Sequence, residues 1–161
     1  MFKKILIAIT PTGSNNHILE EAIALAKLTD GELMLLHVLS PSDEGYPTPI
    51  YPSASTVYET ALKEVAIKNY AVQWEAYEQD NFRFTKALTA QAASAGVKAE
   101  FTQSPGDAGH VICKLAETWN ADLIMLGRRG HSGLKELFLG SVSNYVLHHA
   151  PCSVLTIQGA S

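Results

Sequence analysis

The stretch from Gly127-Arg128-Arg129-Gly130 to Gly140-Ser141-Val142-Ser143 gathers residue types that bind anions. Glycines expose bare backbone N–H groups and let a phosphate come close. Gly140-Ser141 stands where a short helix should begin. A helix start carries unpaired N–H donors and the positive end of the helix dipole. The Ser141 and Ser143 hydroxyls add side-chain donors. Arg128, Arg129 and Lys135 bring positive charge, opposed only by Glu136 between Gly127 and Leu147. A purely structural alternative fits the same residues: Gly127 ends a strand, Gly140 starts a helix and Ser141 is an ordinary N-cap. The segment is not a Walker A loop, because no Gly-Lys-Ser/Thr occurs. It is not a dinucleotide fingerprint, because no Gly-x-Gly follows the first strand.

Other reactive residues point to less. His148 and His149 are adjacent in a helix and so diverge by about 100°. With His110 and His131 they do not form a metal-ligand pattern. Cys113 and Cys152 are too far apart for a Cys-x-x-Cys site and read as two reduced thiols. No Gly-x-Ser-x-Gly supports a hydrolase triad. His37 sits inside an apolar strand and reads as a satisfied core histidine. Asp107 has a capping role at a helix start. No carboxylate is placed as a general base for hydrolysis, which leaves a slow ATPase as an alternative only.

These residues need elements to position them. Ile5–Ile9 is a continuous aliphatic run closed by Pro11-Thr12-Gly13, as in a strand covered on both faces. Ser14, Asn15 and Asn16 are N-cap candidates for a helix carrying Ile18, Ala22, Ile23, Leu25 and Ala26, stopped at Asp30-Gly31. Leu33–Leu39 is a second strand. A loop of about residues 40–55, rich in proline, is expected to be mobile. Positions 56–95 hold neither Pro nor Gly. Tyr58, Leu62, Ala66, Tyr70, Trp74, Tyr77, Phe84 and Leu88 keep one helical phase there. A single helix of that length would run about 60 Å. The expectation is a break near Gln79-Asp80-Asn81, or a helix projecting past the sheet. The Tyr70, Trp74, Tyr77 stripe is read as packing. Val97, Ala99 and Phe101 alternate with polar residues as in a strand near a sheet edge. Ser104-Pro105-Gly106-Asp107 reads as the next helix start, with Ser104 as N-cap. Asp122–Leu126 is a fourth strand, 141–149 a short helix and Ser153–Ile157 a fifth strand. This alternation predicts one α/β domain with an open, mainly parallel sheet.

The chain has 161 residues, 47% of them hydrophobic and 17% charged, which excludes a largely disordered chain. Twelve basic against sixteen acidic residues give a net charge of −4. No global basic field exists, so nucleic acid and an anionic membrane are not expected partners. The opening apolar run is too short for a signal peptide, and no run is long enough to span a membrane. The expected setting is soluble and cytoplasmic.

The spacing Gly-x2-Gly-x9-Gly-Ser, at Gly127, Gly130, Gly140 and Ser141, resembles that of the universal stress protein family. The resemblance extends to Lys3–Ile9, Leu35–Val38, Ala121–Gly127 and Ala150–Leu155. It implies a Rossmann-like, five-stranded parallel sheet of order 3-2-1-4-5 and a homodimer through Ser153–Ile157. The edge position of that apolar strand points to the same dimer. The resemblance also implies adenine-nucleotide binding of the ATP type, with Mg or Mn on the phosphates, in a stress-response regulator with an unidentified protein partner. Gly127, Gly130, Gly140, Ser141, Val142 and Ser143 would hold ribose and phosphates. Val38 would offer backbone hydrogen bonds to the base, and Pro11 would pack near it. One position departs from the pattern: Thr10 stands where the family usually has an aspartate. The alternatives are a homodimeric interaction module without nucleotide, or a slow ATPase.

Overall fold

The computed structural model describes residues 1–11, 15–41, 43, 45–49, 57–128 and 140–158. The elements run β1 (Lys4–Ile9), α1 (Asn15–Thr29), β2 (Glu32–Leu39), α2 (Val57–Ser94), β3 (Ala99–Pro105), α3 (Ala108–Trp119), β4 (Leu123–Arg128), α4 (Ser141–His149) and β5 (Ser153–Gln158). The sheet has the order β3-β2-β1-β4-β5, and every neighbouring pair is parallel.

Continuous apolar strands follow from cover on both faces. Ile5, Ile7, Ile9, Leu33 and Leu35 pack with Ile18, Leu19 and Ala22 of α1 and Leu88 and Ala92 of α2. On the other face, Leu6, Met34, Leu36, Ile124 and Leu126 pack with Ile112 and Ala116 of α3 and Val146 of α4. Asp122 ties the start of the sheet: its carboxylate accepts the Lys3 and Lys4 backbone N–H groups at 2.9 and 2.8 Å.

The structure decides between the two alternatives for residues 56–95 in favour of a projecting helix, and corrects one expectation. No break occurs at Gln79-Asp80-Asn81; α2 is one helix of 38 residues, about 57 Å long. The polar residues there turn their bonds inward. Asn81 donates to the Tyr77 carbonyl, and the Thr85 hydroxyl to the Asn81 carbonyl. The first buried side chain after residue 60 is Tyr77, so the N-terminal half of α2 projects beyond its packed part. The correction concerns α3. Ser104 and Pro105 remain in β3, paired with Val38 and Leu39. Asp107 is the N-cap, accepting the His110 N–H. Ladder pairing with β2 wins over the local Ser-Pro helix signal.

Candidate functional site

β1 lies at the centre of the sheet, with β2 on one side and β4 on the other. The chain reverses direction of sheet growth there, so the crevice beyond β1 and β4 is where such sheets bind ligands. Ile9 pairs with His37, and Ala8 with Leu126. Thr10, Val38 and Gly127 therefore stand together at the carboxyl end of three adjacent strands. α4 joins parallel β4 to parallel β5, so it runs back across the sheet. Its first residues, Gly140 to Ser143, come to that same end. Gly130, Arg129, His131 and Lys135 lie outside the described residues, as do positions 50–56 of the loop after β2.

The two described glycines have open surroundings. Among the described residues, a Cβ at Gly140 would meet nothing within 4 Å. At Gly127 it would meet only Ile18 Cδ1, at an ordinary 3.9 Å. Gly140 has φ −57° and ψ 157°, a conformation any residue adopts. By contrast, a Cβ at Gly109 would lie 2.6 Å from the Tyr145 ring. Packing explains that glycine but neither Gly127 nor Gly140. Gly140 is the N-cap of α4, and no side chain caps the helix. Ser141 is exposed and Ser143 half-buried, and Val142 is 37% exposed.

Val38 has a distinct role available. Glu32 N–H donates to the Lys3 carbonyl, and Leu33 N–H to the Lys98 carbonyl. Even-numbered residues of β2 therefore face β1, and odd ones face β3. In this register the ladder donor for the Val38 carbonyl is the N–H of residue 11. That residue is Pro11, which has none. Strand chemistry thus leaves the Val38 carbonyl without its ladder donor at the mouth of the crevice.

Beside Pro11, on the α2 side, lies an open cavity of about 540 Å³, lined also by Gly45, Gln73, Tyr77, Asp80 and Phe84. Gly127 and Gly140 do not line it, so it adjoins the glycine end of the crevice rather than containing it. Its wall rests on a buried polar group that periodicity did not reveal. The Asp43 carboxylate accepts the Tyr77 hydroxyl at 2.9 Å and the Ser40 N–H at 3.1 Å. His37 Nε2 stands 3.5 Å from the same oxygen, with both side chains buried. Burial pushes the Asp43 carboxyl up, but His37, the Ser40 N–H and the Tyr77 hydroxyl together bring it below its ordinary value. Burial and the neighbouring carboxylate push the Tyr77 phenol upward. His37 is a core histidine but not the satisfied one expected: neither ring nitrogen has a well-formed hydrogen bond among the described residues.

Residues 1–158 match the family model described as the universal stress protein family. The chain is 33% identical over 160 residues to universal stress protein Sll1388 of Synechocystis, covering 98% of each chain. It is 32% identical to universal stress protein YxiE of Bacillus subtilis, covering 98% of this chain and all of that one. Among solved structures, hypothetical protein MJ0577 superposes with a TM-score of 0.74 at 22% identity, over 100% of this chain and 99% of that chain. A universal stress protein in complex with cAMP gives 0.59 at 16% identity, over 99% and 98% of the two chains. One from Archaeoglobus fulgidus in complex with dAMP gives 0.56 at 14%, over 97% and 98%. At these identities the structures speak for the fold.

Proposed function

Because the chain belongs to the universal stress protein family, we propose that it is an adenine-nucleotide-binding regulatory protein of the stress response, acting in the cytoplasm. The observation that carries this reading is the pair Gly127 and Gly140: the fold asks for glycine at neither, whereas a phosphate needs both free of Cβ atoms. The uncapped start of α4 supplies N–H donors for that phosphate. Structurally similar family members are complexes with cAMP and dAMP. Gly127, Gly130, Gly140, Ser141, Val142 and Ser143 hold ribose and phosphates. Val38 accepts a hydrogen bond from the base amino group, beside Pro11 and Thr10. None of these residues is acidic, so a Mg or Mn ion is held by the phosphates of ATP. No carboxylate of this set can activate water, and the reading is binding rather than turnover. A thermal-shift series tests it: ATP, AMP and cAMP raise Tm in proportion to affinity, while phosphate release stays at background. Steady release would favour the slow ATPase. No shift with any nucleotide would favour the interaction module.

Pro11→Ala restores an N–H that can bond the Val38 carbonyl in competition with the base. Its preference for adenine over hypoxanthine nucleotides falls roughly three- to tenfold, the worth of one hydrogen bond. An unchanged preference removes Val38 from base recognition. Thr10→Asp adds a charge-assisted acceptor and tightens nucleoside binding about tenfold. Weaker binding would mean that the pocket is shaped for another ligand and that the base and ribose assignments are wrong.

The reading includes a homodimer through β5. Odd-numbered residues of β1 face β2, so Lys4, Leu6 and Ala8 face β4; with Leu6 opposite Ile124, odd-numbered residues of β4 face β1 and even ones face β5. With Leu123 opposite Ser153, the backbone groups of Ser153, Leu155 and Ile157 bond to β4, and those of Val154 and Thr156 face the open edge. The Leu155 side chain, on this edge strand, is 40% exposed. Thr156→Pro removes an outward N–H and weakens the dimer by roughly tenfold in sedimentation analysis, whereas the Leu155 N–H faces β4 and is no test of the edge. An unchanged dissociation constant would place the dimer contact elsewhere.

A further inference from the structure

Residues 60–76 of α2 include no buried side chain. Yet Leu62, Val65, Ile67 and Val72 are 42, 55, 65 and 67% exposed. The helix has a packed face, carrying Tyr77, Thr85, Leu88 and Ala92; Ile67 continues its phase, whereas Leu62, Val65 and Val72 lie off it. Leu62, Val65, Asn69, Val72 and Ala76 succeed one another at spacings of three, four, three and four. At 100° per residue they fall within an arc of about 80°. That is the seam of a two-helix coiled coil, in which one polar residue such as Asn69 fixes the pairing. Residues 60–76 are supported only on the side of Ala66, Tyr70 and Trp74, where Trp74 packs on Tyr46, and a helix held so lightly is marginal in water; the seam on its other side has no cover among the described residues.

We propose that the cover is the same seam of a second copy, α2 against α2. Two observations select this occupant. A heptad seam accepts another helix with its own heptad seam, and this chain carries one. The charges fit as well. Lys63, Glu64, Lys68 and Glu75 leave residues 60–76 neutral, although the chain carries −4. Two copies therefore meet here without net repulsion and exchange Lys–Glu pairs, whereas a strongly basic or acidic partner finds no complement. α2 packs on β2 and β3, and β5 forms the opposite edge of the sheet. One copy can thus use both surfaces, and the proposal is independent of nucleotide binding.

The test uses exposed positions, where substitution leaves the fold intact. Val65→Glu/Val72→Glu and Val65→Lys/Val72→Lys are each compared with wild type by sedimentation at matched micromolar concentration. Each variant alone falls to half the wild-type mass or less. An equimolar mixture of the two returns to the wild-type mass, because opposite charges now meet across the seam. Retention of wild-type mass by either variant alone would overturn the proposal. So would a mixture that stays dissociated, since the seam would then face something other than itself.

Discussion

Gly140→Val abolishes measurable adenine-nucleotide binding and leaves the protein folded with nearly its original Tm. The fold has no claim on the glycine: its φ is −57°, and a Cβ there meets nothing within 4 Å among the described residues. Valine at an N-cap is a poorer residue than glycine, but the cost stays below about 1 kcal/mol. The ligand, by contrast, loses its approach to the first N–H groups of α4. Hydrogen bonds to a charged phosphate are worth about 3 kcal/mol together at the least, so affinity falls about a hundredfold or more. Calorimetry of the variant beside its unfolding curve checks both halves. Intact binding would make Gly140 a mere helix start. A collapse of Tm would make it a packing residue, against the open space around it.

Asp43→Ala lowers stability without touching the glycine segment. The carboxylate accepts the Tyr77 hydroxyl and the Ser40 N–H and faces His37, and its side chain is only 4% exposed. Alanine strands these donors under a closed surface. The expected loss is about 2–3 kcal/mol, or a fall in Tm of roughly 5–10 °C. The sign of the pH dependence follows from the depressed carboxyl. Its contribution is complete above the ordinary value of 3.8 and disappears as pH falls through the lower folded value. Wild type and variant therefore differ most at neutral pH, and the gap narrows in strong acid. An equal Tm at neutral pH would show that Asp43 holds nothing in place.

The strands were the most legible part of the sequence, because Ile5–Ile9, Leu33–Leu39 and Asp122–Leu126 are apolar runs that only a doubly covered sheet accepts. Their order came with the family resemblance; no periodicity carries it. Ser104-Pro105 misled because a local N-cap signal cannot weigh the ladder bonds that β2 offers to β3. Positions 79–81 left a break or a projecting helix open, and the structure chose the helix: Asn81 and Thr85 bond to their own helix, which composition does not display. Gly127 and Gly140 stood out by spacing, but only the structure could separate a glycine that packing demands from one that it does not. Pro11 and Val38 joined into one feature when the register was known. Asp43 was invisible to pattern, since its partners come from β2 and from the middle of α2.

The most direct measurement is a calorimetric titration of the wild-type protein with ATP, carried to millimolar ligand in the presence of Mg. The account predicts saturable binding near one nucleotide per chain, with competition by AMP. No heat and no saturation at millimolar ligand would contradict it, and the chain would then be a family member that works through its surfaces alone.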